Sequence, residues 1–134
     1  MAKTIAKIMG VVFILAGITG FVSNNLLGLH LTPLHNGGVH IVSGIVALYF
    51  GFAGSMAAAR MFDLVFGIVY GLIGVVGFLL GQPGSPSAGV PGPADSYLFK
   101  ALPGYLELGS HDHILHVVLG LIFVLGALLT RKDA

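Results

Sequence analysis

No Asp, Glu, Lys or Arg occurs between Lys7 and Arg60, and this is the longest charge-free stretch in the chain. It cannot form the surface of a soluble domain, because about 25% of the residues in ordinary globular proteins are charged. It is long enough for two membrane crossings, each of which needs about 20 apolar residues. The sequence therefore predicts an integral membrane protein.

The composition supports this interpretation and excludes some functions. Only 8% of the 134 residues are charged, and the mean hydropathy is +0.99. The length suggests one domain, residues 1–134. The net charge of +1 says nothing about nucleic acid, but the sequence has no basic patch, so we expect no nucleic-acid partner. Because the chain has no Cys, a metal site would have to use His, Asp, Glu or Asn.

Four apolar segments are long enough to span a bilayer: residues 8–27, 39–59, 64–80 and 114–130. They should be helices, because backbone groups in lipid must be hydrogen-bonded internally and four segments are too few for a barrel. We expect an all-α bundle of four transmembrane helices. The segment "AARMFD" would join the second and third helices in a tight hairpin. Lys3 and Lys7 resemble the start of a signal peptide, but no cleavage site follows, so we expect a retained first helix.

A Pro/Gly-rich connection separates the third and fourth segments. Residues 81–96 cannot form a helix, and we regard residues 81–100 as an insertion. In the following "YLFKALPGYLEL", Tyr97, Phe99 and Tyr105 favour the membrane–water boundary. We expect a long loop that lies on the bilayer surface, with Pro103 preventing a continuous amphipathic helix.

The Lys and Arg residues predict the orientation of the chain. Four spans place nearly all of them on one side, and Lys100 alone lies on the other. The positive-inside rule then puts both termini in the cytoplasm of a bacterial inner membrane, with every His at or near the outer face. The residues on the cytoplasmic side are Lys3, Lys7, Arg60, Arg131 and Lys132.

Two stretches of the chain share one pattern: His, Asn or Asp, three residues, His, one residue, Val, one residue, Gly. They are "LHNGGVHIVSG" at residues 34–44 and "SHDHILHVVLG" at residues 110–120. The glycines of the preceding helices also align, and the insertion accounts for the different offsets. We infer two tandem helical hairpins of the same orientation, at about residues 5–59 and 61–130.

These motifs and the glycine-rich first and third helices resemble a bacterial family of small four-helix membrane proteins, catalogued as a domain of unknown function. The resemblance covers most of the chain outside the insertion. It implies the fold and topology predicted above, and it implies no activity. Where the family pattern has Asp-Asn-x-x-His, this chain has Asp112 followed by His113.

The two motifs place histidines near helix starts. If Asn36 and Asp112 are the N-caps, then His40 and His116 lie about one turn into their helices. The positive end of the helix dipole and partial burial both favour neutral imidazole, which is the form that binds metal. The glycines four residues further on share the face of the histidines and leave a gap for a helix backbone, a water or a flat ligand: Gly44 and Gly120.

A transition-metal site is the sharpest hypothesis for this cluster. His113 and His116 share a helix face, whereas His35 and His40 would lie about 140° apart on an α-helix and could share a metal only if His35 precedes the helix. Imidazoles at this position would suit Zn(II) or Cu(II). The candidate ligands are His35, His40, His111, Asp112, His113 and His116, with the role of His30 open.

Other interpretations compete with the metal site. His40 and His116 are alternative axial ligands of a haem or pigment, beside Gly44 and Gly120. The histidines can instead hold helix ends in a structural or accessory subunit of a larger complex, or serve in pH sensing. No Ser/His/Asp set, phosphate loop or carboxylate pair predicts an enzyme. We expect a non-enzymatic protein with the bilayer, a second copy or a larger complex as partner.

Two smaller features complete the predictions. The third helix carries small residues at helical spacing, Gly67, Gly71 and Gly74, which favour close helix packing. Asp63 follows Arg60 by three residues, which predicts a local ion pair.

Overall fold

The structure, a computed structural model, describes residues 1–23 and 28–131 and is mostly helical. A π-helical segment leads without a break into the second α-helix, and a small antiparallel sheet of strand order β1-β2-β3 precedes the last helix. The elements are α1 (Ala2–Val22), the π-helical segment (Leu34–Ile41), α2 (Val42–Phe52), α3 (Met56–Leu80), β1 (Gln82–Gly84), β2 (Asp95–Leu102), β3 (Leu106–Leu108) and α4 (Ser110–Leu128).

Three helices, α1, α3 and α4, are long and apolar enough to cross a membrane. Their outward faces carry large exposed apolar side chains such as Leu15, Leu72 and Leu121, which is the surface expected in contact with lipid. The second predicted span is built differently, because only 11 of its residues form α2 and the π-helical segment precedes them. The predicted end of the first span at residue 27, and Lys132, lie outside the described residues.

The connection between α2 and α3 is short, as predicted, but it lies elsewhere in the sequence. Residues 53–55 make the turn, and "AARMFD" lies inside α3. Ser55 is the N-cap of α3, and its side chain accepts a hydrogen bond from the Ala58 N–H at 3.1 Å. A serine oxygen there satisfies one of the N–H groups that the first helical turn leaves free.

Glycines set how the helices pair. A Cβ built on Gly10 would lie 3.0 Å from the Gly44 carbonyl oxygen, and one on Gly67 would lie 2.8 Å from the Gly120 oxygen. Such contacts require the bare backbone of glycine, so α1 packs closely on α2 and α3 packs closely on α4. The gap predicted at Gly44 and Gly120 is therefore filled by the backbone of the neighbouring helix.

The two helix pairs meet through an aromatic core. Phe13 of α1, Tyr70 of α3 and Phe123 of α4 are buried there with Met9. The Phe13 ring lies 5.5 Å from the Tyr70 ring and 6.4 Å from the Phe123 ring, between centroids. Because these rings come from three helices, their packing joins the pairs into one bundle.

Asp63 and Arg60 do not form the predicted ion pair. The Nε of Arg60 donates to the carbonyl of Ala127 at 3.0 Å, near the end of α4, where such carbonyls lack partners within the helix. Asp63 is fully buried, and neither of its carboxylate oxygens has a hydrogen-bond partner within residues 1–23 and 28–131. Arg60 therefore caps a helix end instead of pairing with its neighbour.

The segment predicted as a long surface loop contains the sheet, so the expectation of an all-α fold is wrong in this part. β2 and β3 form a hairpin whose turn contains Pro103 and Gly104, and Gly104 has a φ of +85° that glycine adopts readily. Proline there does interrupt the segment, but between two strands. Tyr97 and Phe99, predicted to lie at the membrane–water boundary, are part of β2. The Thr32 hydroxyl donates to the Tyr105 carbonyl, which holds this hairpin against the histidine end of the bundle.

Candidate functional site

Five of the six histidines are buried at one end of the bundle, beside the sheet. Their side chains are no more than 7% exposed, whereas His111 is exposed. Buried polar groups must find partners or cost stability, so the surroundings of each ring indicate its role. The buried histidines are His30, His35, His40, His113 and His116.

The π-helical segment brings His35 and His40 together. Their ring centroids lie 4.4 Å apart. In an α-helix this spacing would point the rings about 140° apart, but π-helical hydrogen bonds join residues five apart and stack them on one face. His35 thus lies inside the helix and still neighbours His40. Asn36 also lies within this segment, so its predicted role as N-cap is wrong; Pro33 holds that position.

His116 of α4 approaches the same pair from the other side of the bundle. Its ring centroid lies 6.3 Å from that of His35 and 5.3 Å from that of Tyr70. We call His35, His40 and His116 the imidazole trio. The Nδ1 atoms of His40 and His116 are buried and lack hydrogen-bond partners in the described residues. An unpaired buried nitrogen costs about 1–3 kcal/mol, and a water molecule, an ion or a ligand would satisfy it.

His35 differs from the other two members of the trio in having one ring nitrogen engaged. Its Nδ1 lies 3.1 Å from the His30 carbonyl oxygen, to which it can only donate. This bond selects one tautomer and leaves Nε2 with a free lone pair. Metal-binding histidines in proteins are commonly oriented in this way by a backbone carbonyl.

Asp112 connects this end of the bundle to His30. The N-cap of α4 is Gly109, so the predicted role of Asp112 as N-cap is wrong. The Oδ2 atom of Asp112 accepts a hydrogen bond from the Gly109 N–H at 2.9 Å. The same oxygen lies 3.4 Å from Nδ1 of His30. The hydrogen bond with the Asp112 carboxylate raises the pKa of the His30 ring above its usual 6.5, against the opposing effect of burial. The His30 Nε2 lies 3.2 Å from the Pro93 carbonyl oxygen, which adds to the increase in the pKa.

His113 and His111 lie apart from the trio. The Nε2 of His113 donates to the Tyr97 carbonyl oxygen of β2 at 2.7 Å, and its ring packs 5.0 Å from that of Phe78. His111 lies at the exposed start of α4, beside Gly28. The structure therefore brings three of the six predicted ligands together in the trio and places the other three, His111, Asp112 and His113, in different surroundings. In the part of the chain that it describes, no group of three or more His, Asp or Glu has the spacing of a formed metal site.

Two cavities flank the trio, and His116 lines both. The first, of about 170 Å³, lies between α1 and α4 and is also lined by His40. The second, of about 270 Å³, lies between the π-helical segment and α3 and is also lined by His35. Both are smaller than the roughly 300–1,000 Å³ typical of small-molecule pockets. His40 and His116, the predicted alternative axial ligands of a haem, line the first cavity together.

Sequence reasoning missed Tyr70 and Ser43, which face each other beside the trio. Their hydroxyl oxygens lie 3.3 Å apart, and both residues line the second cavity. Tyr70 is placed midway between Gly67 and Gly74 in the sequence, so the glycine pattern of α3 could have indicated that it faces the bundle.

The fold and the site together define a membrane-type helical bundle with a buried histidine cluster under a small sheet. The chain also matches the family model described as "Domain of unknown function (DUF4383)" over residues 3–101. Because this match covers most of the chain, the protein belongs to that family, as the resemblance of its motifs implies. The match includes the Pro/Gly-rich insertion and ends before α4. No curated protein and no solved structure matches the chain.

Proposed function

We propose that this protein is a non-enzymatic protein of the bacterial inner membrane that binds a transition-metal ion through the imidazole trio. The observation that carries the proposal is the meeting of three buried histidines from two parts of the chain, His35 and His40 from the π-helical segment and His116 from α4. None of the three imidazoles has an ion-pair partner among the described residues, and three neutral imidazoles are a donor set suited to Zn(II) or Cu(II).

Metal binding requires the three rings to move closer together than they lie in the structure, since Zn–N bonds are about 2.0–2.1 Å long. The hydrogen bonding around the trio favours such a movement. The Nδ1 atoms of His40 and His116 hold no described partner that a rotation would break, and the bond from His35 to the His30 carbonyl leaves its Nε2 free. π-Helical turns frequently occur at functional sites, where they give a side chain an unusual position.

The proposed topology has four membrane crossings, with the π-helical segment and α2 together forming the second. Both termini would be cytoplasmic, which places the trio at the outer face. We further propose that the two hairpins arose by duplication. The crossing of Gly10 with Gly44 and the crossing of Gly67 with Gly120 support this, because each joins the corresponding positions of the two aligned halves.

A second candidate function is that of a structural or accessory subunit, as a homo-oligomer or in a larger membrane complex. A specific observation favours it: three histidines each have a ring nitrogen within hydrogen-bonding distance of a backbone carbonyl. His30 approaches the carbonyl of Pro93, His35 that of His30, and His113 that of Tyr97. These bonds hold the sheet and the connecting segments against the helices, which is a role in assembly and needs no metal.

Metal analysis of the protein purified in mild detergent, after exposure to Zn(II) or Cu(II), tests the first function. We expect near-stoichiometric metal in the wild type and its loss when His40 and His116 are both changed to Ala. His111→Ala is the matched control, because it removes an exposed histidine of α4 and should leave the metal content unchanged. Circular dichroism and gel filtration establish that each variant is folded.

If the double variant does not fold, His35→Gln provides the test, since it keeps a side chain of similar size. A wild type without metal, or a His40/His116 variant that retains it, contradicts the metal site. The accessory role would then be the better explanation, and co-purification of partners from the membrane would be the next measurement.

A further inference from the structure

The cavity between the π-helical segment and α3 has the properties of a binding site for an organic molecule. We call it the Tyr70 cavity; its volume is about 270 Å³. Its wall combines polar side chains with apolar side chains from three different elements. The apolar lining residues are Val39, Ile73, Leu106 and Leu108.

The Tyr70 cavity offers a hydrogen-bond donor in an apolar setting. Ser43 and Tyr70 have two hydroxyl hydrogens between them, and the 3.3 Å bond joining their oxygens uses one. The second hydrogen is therefore available to an acceptor in the cavity. Tyr70 is only 5% exposed, so water does not compete freely for this donor. A ligand with a carbonyl oxygen would satisfy it.

No Asp, Glu, Lys or Arg lines the Tyr70 cavity in the described structure. A charged ligand would lose its hydration there without a compensating ion pair, so the site selects a neutral molecule. The rings of Tyr70 and His116 give it flat walls. Ile73 is 37% exposed at its edge, so the cavity borders the apolar outer surface of α3. A ligand dissolved in the bilayer can therefore reach the cavity between α2 and α3.

We propose that the Tyr70 cavity binds the headgroup of a neutral, carbonyl-bearing lipid of the quinone class. One quinone carbonyl accepts the hydrogen bond of the Ser43–Tyr70 pair, and the flat ring lies between Ile73 and the leucines of β3. The apolar tail leaves between α2 and α3. The volume of the cavity suits one substituted ring and excludes the two acyl chains of a phospholipid. This binding goes beyond the proposed metal site and does not require a metal.

Titration of the full-length protein in mild detergent tests the proposal, with isothermal calorimetry of a decyl-substituted benzoquinone and of a methyl-naphthoquinone. We expect saturable binding of at least one of them. In Tyr70→Phe, the loss of one hydrogen bond of about 0.5–1.5 kcal/mol should weaken binding about 2- to 13-fold. Tyr49→Phe is the matched control, because Tyr49 is 62% exposed on the outer face of α2, and its affinity should equal that of the wild type.

Filling the cavity gives a second test, and removal of both hydroxyls is the alternative to it. Val39→Phe places a ring in the space and should abolish quinone binding; if this variant does not fold, Ser43→Ala in the Tyr70→Phe background takes its place. No saturable binding of either quinone, or equal affinities of Tyr70→Phe and the wild type, overturns the proposal. A phospholipid retained in native mass spectrometry that quinone does not displace also overturns it.

The metal content of Tyr70→Phe separates this inference from the proposed function. This variant keeps all three imidazoles and should bind metal as the wild type does. Quinone binding without metal supports the lipid site alone, and metal binding without a response to quinone supports the imidazole trio alone.

Discussion

The two histidine-rich helix starts, residues 34–44 and 110–120, have the same spacing and different backbones. In each, two histidines lie five residues apart. The first start is π-helical, and both of its histidines are buried side by side. The second is α-helical, and it exposes His111 while burying His116. The same pattern of residues thus contributes two imidazoles to the trio from one helix and one from the other.

Contacts with the neighbouring glycines show how the two starts correspond. A Cβ on Gly17 would lie 2.8 Å from the carbonyl oxygen of Asn36, and one on Gly74 would lie 2.6 Å from that of His113. Asn36 therefore occupies the place of His113, whereas the alignment of the sequences pairs it with Asp112. Compared with the start of α4, the π-helical segment contains one extra residue between Asn36 and Gly44. The residues that precede this extra residue are therefore displaced by one position relative to the sequence alignment. A motif alignment does not reveal such a shift.

The largest effect is expected where the two starts are alike, at the glycine crossings. Gly44→Val and Gly120→Val each direct a side chain against the backbone of Gly10 or Gly67, and we expect each to lower the free energy of unfolding by about 3 kcal/mol. Gly71→Val is the control, because no atom lies within 4 Å of a Cβ built there. Unfolding in detergent, followed by circular dichroism, measures all three. A tolerated Gly120→Val would mean that the close contact of α3 and α4 is not required.

An intermediate effect should distinguish the corresponding residues of the two starts. His113→Ala removes a ring packed on Phe78 and leaves the Tyr97 carbonyl without its bond, so we expect a loss of about 2–3 kcal/mol. Asn36→Ala should cost less, because the Oδ1 of Asn36 has no hydrogen-bond partner among the described residues. The same unfolding measurement applies. Equal losses in the two variants would contradict this difference in hydrogen bonding.

The smallest effect is a pH dependence that involves the second start through Asp112. The pKa of His30 is higher in the folded protein than its usual value of 6.5. Protonated His30 therefore stabilises the fold, and this contribution is complete at pH values below about 6.5, the pKa in the unfolded chain. This contribution is lost as the pH rises through the higher folded pKa. His30→Gln should therefore flatten the decrease in unfolding temperature from pH 6 to pH 9, while His111→Gln should not. Parallel curves for wild type and His30→Gln would show that the His30–Asp112 bond does not stabilise the fold.

Much of the helical architecture could be predicted from the sequence, because long apolar runs and their glycines are local features. Three of the predicted spans correspond to long apolar helices, and the glycine spacing of α3 predicted the close helix packing that Gly67 and Gly74 make with α4. The sheet could not be recognised in the same way. Two of its three strands have only three residues each, and aromatics such as Tyr97 and Phe99 are typical both of a membrane boundary and of a strand.

The candidate site was predicted in part. The involvement of His35, His40 and His116 followed from their motifs, but their grouping into a trio did not. His113 and Asp112 were grouped with them by proximity in the sequence, and the structure instead pairs these residues with Tyr97 and His30. Each such partner lies at least 16 residues away in the chain, so no local pattern could assign it.

The sequence by itself determined that this is an apolar, glycine-rich chain with helices suited to a membrane and histidines near two helix starts. These properties depend on composition and short-range spacing, which set burial in lipid and helix formation. Only the tertiary structure decided which histidines meet. The π-helical segment packs against the glycines of α1, and the rings of His30 and His113 are oriented by a carbonyl or carboxylate from a distant part of the chain.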